Sequence, residues 1–156
     1  MASAGRCTCG AVRYRMTETP LFVHACHCTW CQRESGSAFA LNAMIETEFI
    51  EVLEGAPEEV QTPSASGRGQ IVLRCPTCRV ALWSHYAGAG RKAAFVRVGT
   101  LERPGDCPPD IHIFTATKLP WLMLDGRVPV VAEYYDRKVM WPAESLRRRE
   151  VMLAKG

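Results

Sequence analysis

Ala25-Cys26-His27-Cys28-Thr29-Trp30-Cys31 places three thiols within six residues, closer together than the packing of a core requires. Three thiols on one loop point to a metal ion. Zinc closes a tetrahedral shell with four ligands, so this loop is one ligand short. The other cysteines decide what that shortfall means. Two further pairs stand in tight turns, Cys7-Thr8-Cys9-Gly10 and Cys75-Pro76-Thr77-Cys78, while Cys107 lies alone in Gly105-Asp106-Cys107-Pro108-Pro109.

Chelation keeps neighbouring thiols on one ion, and the seven clustered cysteines form units of two, three and two. Only one partition leaves every unit intact and closes a tetrahedron: Cys7, Cys9, Cys75 and Cys78 on one zinc, with Cys26, Cys28 and Cys31 on a second. The first is a structural site. The second, with three protein ligands and a position for water or substrate, has the form of a catalytic zinc. The competing reading completes the triplet from Cys107, His24, His85 or His112. Cys107, in an irregular acidic turn, reads as a free thiol. His27, between two ligands, is expected to point away from the ion and to make an outer hydrogen bond.

Around these turns the chain reads as one domain, residues 1–156. Hydrophobic residues make up 47% and charged residues 22%, which excludes a disordered chain, and no apolar run reaches the length of a spanning helix. The N-terminus lacks the charged start and apolar middle of a signal peptide, so the expected location is the cytoplasm. In a reducing compartment, CxC and CxxC spacings indicate metal, with a disulfide framework as the alternative. The formal charge of +3 falls to zero if seven thiolates hold two zinc ions.

Period-two alternation at Val12, Tyr14 and Met16 predicts a strand, and Leu21 to Ala25 reads as another that delivers the chain into the three-cysteine loop. One helical turn follows from Trp30 to Ser35. Further strands are expected over Ser37 to Ile45, Phe49 to Leu53, Glu58 to Thr62, Ala93 to Val98 and Ile111 to Thr115. Gln70 to Arg74 and Val80 to Ser84 flank the second CxxC, which therefore caps a hairpin. Pro63 to Gly69 has the composition of a surface loop. Many short antiparallel strands with Gly- and Pro-rich turns predict an all-β fold. The one expected long helix runs from Pro142 to Leu153, with Pro142 at its first position, Leu146, Val151 and Leu153 as its apolar members, and Arg147, Arg148 and Arg149 on a solvated face. His24, His112, Trp83 and Trp121 read as core residues.

The ordered set of Cys7-x-Cys9-Gly10, Cys26-His27-Cys28-x-x-Cys31-Gln32-Arg33, Gly36-Ser37-x-Phe39, Cys75-x-x-Cys78, Leu82-Trp83, Gly99-Thr100-Leu101, His112-Ile113-Phe114 and Lys118-x-x-Trp121 resembles the glutathione-dependent formaldehyde-activating enzyme family, which also includes centromere protein V. The resemblance spans about residues 5–130. It implies an Mss4-like fold and two zinc sites, Cys7, Cys9, Cys75 and Cys78 being structural and Cys26, Cys28 and Cys31 catalytic. It also implies a carbon–sulfur lyase activity interconverting formaldehyde plus glutathione with S-hydroxymethylglutathione. Two positions depart from the family pattern: Arg79-Val80 follows the second CxxC in place of a small pair, and Glu102 stands where Asp is common.

The expected partners are a small thiol and an aldehyde, with neither membrane nor nucleic acid. The rival class is a non-catalytic zinc module that binds a protein or nucleic acid, favoured if both shells are closed and the arginine helix presents a continuous basic face. A strand edge or the C-terminal helix could serve a homodimer.

Overall fold

Side chains that alternate between a buried and an exposed face turn the short segments of this chain into sheets. The computed structural model describes residues 2–155. Its strands are β1 (Ser3–Arg6), β2 (Arg13–Met16), β3 (Phe22–Cys26), β4 (Ala40–Glu46), β5 (Ile50–Glu54), β6 (Glu58–Thr62), β7 (Gln70–Arg74), β8 (Ala81–Tyr86), β9 (Ala93–Arg97) and β10 (Ile111–Ile113). The helices are α1 (Thr29–Ser35), α2 (Arg137–Met140) and α3 (Ala143–Ala154). A three-stranded sheet runs β1-β2-β5 and a seven-stranded sheet runs β10-β3-β4-β9-β8-β7-β6. The fold is mainly β, as expected, but one pair departs from the antiparallel pattern. β10 lies parallel to β3, bracketed at its start by Asp110, whose carboxylate accepts from the Val23 N–H at 2.8 Å and whose own N–H donates to the Val23 carbonyl.

The large sheet is covered on both faces. Val23, Ala43, Ile45, Ala94 and Val96 pack towards Val12, Tyr14 and Met16 of the small-sheet region. On the opposite face Phe22, Cys26, Met44, Ala93, Ile111 and Ile113 pack with Trp141 and Met152. The alternation that sends Val23 one way and Phe22 the other thus assigns the end of β3, with Cys26, to the second face.

β1 carries no alternation of large apolar residues, and nothing in Ser3–Arg6 announces a strand. Gly5 explains it: a Cβ there would lie 2.5 Å from the Tyr14 ring, so the missing side chain is what lets β1 pair beside Tyr14.

Four expectations need correction. Pro142 is not the first helical residue: its ψ of 145° is extended, and it caps α3 from outside. The inward face of α3 is Ser145 and Met152, with Leu146 partly buried, while Val151 and Leu153 are exposed. Arg148 shares the Ser145–Met152 face by its i, i+3, i+7 spacing and is not solvated; it grips Glu46 through Nε at 2.9 Å and Nη2 at 2.6 Å, and the Thr19 carbonyl through Nη1. Trp121 is 69% exposed, because it lies in an irregular segment that no strand pairing holds against the core, whereas Trp83 is buried and meets Tyr14 edge-on. Among the described residues, no helix is long and apolar enough to cross a membrane.

Candidate metal centre

Two turns, each with the N–H of its first cysteine donating to the carbonyl five residues on, carry the four-cysteine cluster. In the first, the Cys7 N–H donates to the Val12 carbonyl and the Gly10 N–H returns to Cys7; in the second, the Cys75 N–H donates to Val80 and the Arg79 N–H returns to Cys75. Each turn needs a left-handed residue after its second cysteine. Gly10 (φ 79°) supplies it freely, whereas Arg79 (φ 64°) does so against its Cβ. The Cys7 and Cys9 sulfurs lie 3.5 Å apart, and Cys9 and Cys75, 66 residues apart in sequence, 3.7 Å. Tetrahedral zinc with sulfur at about 2.3 Å has S–S edges of about 3.8 Å, so these sulfurs match a closed zinc shell.

Backbone N–H groups favour the thiolate forms. Those of Cys9 and Val80 draw the Cys78 thiol down to about 6. Burial alone would raise Cys7, but the Val12 N–H, 3.3 Å from its sulfur, and the Cys75 thiol hold it below its ordinary value.

The triplet sits where β3 gives way to α1. Cys26 closes the strand, Cys28 caps the helix with its sulfur accepting from the Cys31 N–H at 3.2 Å, and Cys31 lies in the first turn. Gln32 and Thr117 clamp the loop, both donating to the His27 carbonyl. His27 turns away from the sulfurs, is fully buried, and hydrogen-bonds His112 Nδ1 through Nε2 at 2.9 Å. Without an ion, the negative charge settles on Cys28, drawn down to about 2 by donation from the Cys26 and Cys31 thiols, while those contacts and burial push Cys26 far up. Both clusters could hold a metal ion: the sulfurs within each lie within 4.8 Å of one another.

Among the described residues, no histidine, carboxylate or further thiol joins the three sulfurs within that distance. Cys107 is buried in the core between the sheets, where desolvation and then the Asp110 charge push its thiol up to about 11. His85 bonds the Ala93 carbonyl. His24, 3% exposed, meets the Tyr135 hydroxyl at 2.6 Å. That hydroxyl also lies 2.7 Å from the Trp141 indole N–H, which can only donate, so the Tyr135 proton is free to go to His24 Nε2.

The triplet opens onto a cavity of about 430 Å³, within the range of small-molecule sites. Trp30, Tyr86, Phe95, Phe114 and Tyr134 supply aromatic walls, and Asn42 and Arg97 a polar one. Spacing within single segments identified the thiols but not these walls. One signal existed: Arg97 falls in phase with Ala93 and Phe95 along β9, a lone charge on an inward row. The two departures from the family pattern lie elsewhere. Arg79 belongs to the four-cysteine turn, and Glu102 lies 3.6 Å from Arg13; neither lines this cavity.

A mainly β domain with one four-thiol and one three-thiol cluster belongs to the class of β-sheet proteins whose cysteine clusters could hold metal ions. Residues 2–117 match the family described as glutathione-dependent formaldehyde-activating enzyme, and the chain belongs to that family. Among solved structures, a Rhodobacter sphaeroides protein is similar at 19% identity and a TM-score of 0.49, covering 82% of this chain and 99% of that one. Among curated proteins there is no match.

Proposed function

We propose that the chain interconverts formaldehyde plus glutathione with S-hydroxymethylglutathione, as a carbon–sulfur lyase, in the cavity beside Cys26, Cys28 and Cys31. The supporting observation is the contrast between the two clusters. Four thiols close on one another in turns, whereas three open onto a cavity of small-molecule size. Cys7, Cys9, Cys75 and Cys78 would hold a structural zinc, and Cys26, Cys28 and Cys31 a second. Bound there, zinc supplies an electrophilic position that favours a thiol substrate as thiolate.

The chain's own residues do the rest. The aromatic walls offer the substrate an apolar surface. Gln32 and Thr117 hold the loop that carries the ligands. In the forward direction the thiol proton leaves to water, the thiolate sulfur bonds to the aldehyde carbon as the C=O π pair moves to oxygen, and the oxygen takes a proton back from water; the reverse step breaks that C–S bond and returns both protons by the same route. The partner-binding alternative loses its basis in the arginine helix, since Arg148 is committed to Glu46.

NMR exchange spectroscopy on a mixture of glutathione and formaldehyde tests the proposal. The zinc-loaded protein should speed exchange with the adduct, and Cys28→Ser should abolish the acceleration. Equal exchange rates with both proteins would refute it.

A further inference from the structure

One wall of the cavity is a cross-strand row on the large sheet, with Phe95 on the same face. His24 on β3 is the register partner of Asn42 on β4, and Asn42 is the partner of Arg97 on β9. Cys26 stands two residues along β3 from His24 and faces the same way, one strand repeat of roughly 6.7 Å along the sheet. The row therefore runs directly beside the sulfurs.

Arg97 is a cation on this cavity's wall with no carboxylate partner among the described residues. Glu34, also on the wall, is paired with Arg74. Among the described residues, no carboxylate comes within ion-pair distance of Arg97; its side chain donates from Nη1 to Asn42 Oδ1 at 2.5 Å. A guanidinium only donates, so this contact fixes the Asn42 amide with its oxygen towards Arg97 and leaves its NH₂ as a further donor. Asn42 is 4% exposed, a buried polar side chain that holds the guanidinium in place. The pair thus offers donors, positive charge and a fixed geometry, the requirements of a carboxylate.

We propose that Arg97, held by Asn42, is the anchor for a carboxylate of the thiol substrate. The substrate class is then thiols bearing a carboxylate within reach of the sulfur, with the remaining substrate surface against the aromatic walls. Among the described lining residues Arg97 is the one cation without a carboxylate partner, so the row binds one carboxylate; a second carboxylate, as in glutathione, lies outside the row. The assignment of the thiol to the triplet rests on the function proposed above, whereas the anion preference does not depend on turnover.

The test uses a pair of near-isosteric probes, one charged and one neutral, 3-mercaptopropionate and 3-mercaptopropanamide, titrated into the zinc-loaded full chain and followed by protein NMR, including the Arg97 Nε–H signal. The acid should bind at least about tenfold more tightly than the amide, the size of one charge-assisted hydrogen bond, and should shift the Arg97 signal. Arg97→Gln should remove the preference and Arg97→Lys should retain part of it. Asn42→Asp, which sets a competing carboxylate beside the guanidinium, should also remove it. Thermal melts check that each variant is folded. Equal binding of the two probes, binding of neither, or a preference that survives in folded Arg97→Gln would overturn the proposal. An intact acid preference in a protein that fails the glutathione–formaldehyde exchange assay would refute the proposed reaction and leave the anchor standing.

Discussion

The contact between Glu46 and Arg148 fastens the C-terminal helix to the sheet, and removing its positive end should be among the more damaging single changes outside the cysteines. Glu46 ends β4 at 3% exposure, and Arg148 covers it with two charge-assisted hydrogen bonds while a third arm holds the Thr19 carbonyl. Arg148→Ala leaves a buried carboxylate without its partner, a loss of about 3–5 kcal/mol. The Arg148 side chain is 20% exposed, so water can reach the vacated space, and the expected cost lies near the lower end, about 3 kcal/mol. For a domain of this size that is a fall in Tm of roughly 6–12 °C. Arg147, exposed on the same helix, should tolerate Ala within about 0.5 kcal/mol. Replacing both partners, Glu46→Met with Arg148→Met, should recover most of the loss, because no charge is left buried. Urea unfolding of the four proteins at fixed excess zinc measures all three differences. If Arg148→Ala matches Arg147→Ala, or the double variant is as unstable as Arg148→Ala, the pair does not hold the helix.

The remaining predictions concern the cysteine turns. Arg79→Gly relieves a left-handed residue at φ 64° and gives up only an exposed contact with Glu58, so it should stabilise the protein by about 1 kcal/mol; a lower urea midpoint would show that the turn is not strained there. Cys75→Ser removes a fully buried thiol that joins turns 66 residues apart and should leave the chain largely unfolded. Cys31→Ser should lose one equivalent of zinc with the fold retained, as read by melts with metal analysis. Equal destabilisation by the two serine variants would mean that both clusters are structural.

What could be read from the sequence follows the range of the interaction involved. The cysteine units are local, each within six residues, and one pairing rule was enough to group Cys7 and Cys9 with Cys75 and Cys78, as the sulfurs are found. Strand signals are equally local: alternation marks β2, and the short apolar segments before the three-cysteine loop and around the second CxxC mark β3, β7 and β8 to within a residue or two. The cavity is not local. Asn42 and Arg97 become neighbours through the β4–β9 register, and no window of one strand contains that relation. Arg148 escapes the sequence pattern for a related reason: a run of three arginines reads as a solvated face until the helix phase and Glu46 are both known, and Glu46 is 102 residues away. Trp121 fails in the opposite direction, since large apolar side chains between Lys118 and Asp125 look like core but have no strand to hold them inward.

The departures from the family pattern take their meaning from the same distinction. Arg79 follows a metal-binding motif directly in the chain. Its position in the four-cysteine turn, on a left-handed backbone that Gly10 adopts without strain, makes it a matter of stability, with no contact to the cavity. Arg97 departs from nothing in the motif and lies in an ordinary apolar strand, yet it is placed to act on a ligand. Proximity in the chain to a metal ligand is therefore a poor guide to which side chains shape substrate choice here. Facing direction on β3, β4 and β9 is the better one, since it is what brings His24, Asn42 and Arg97 to the same wall as Cys26.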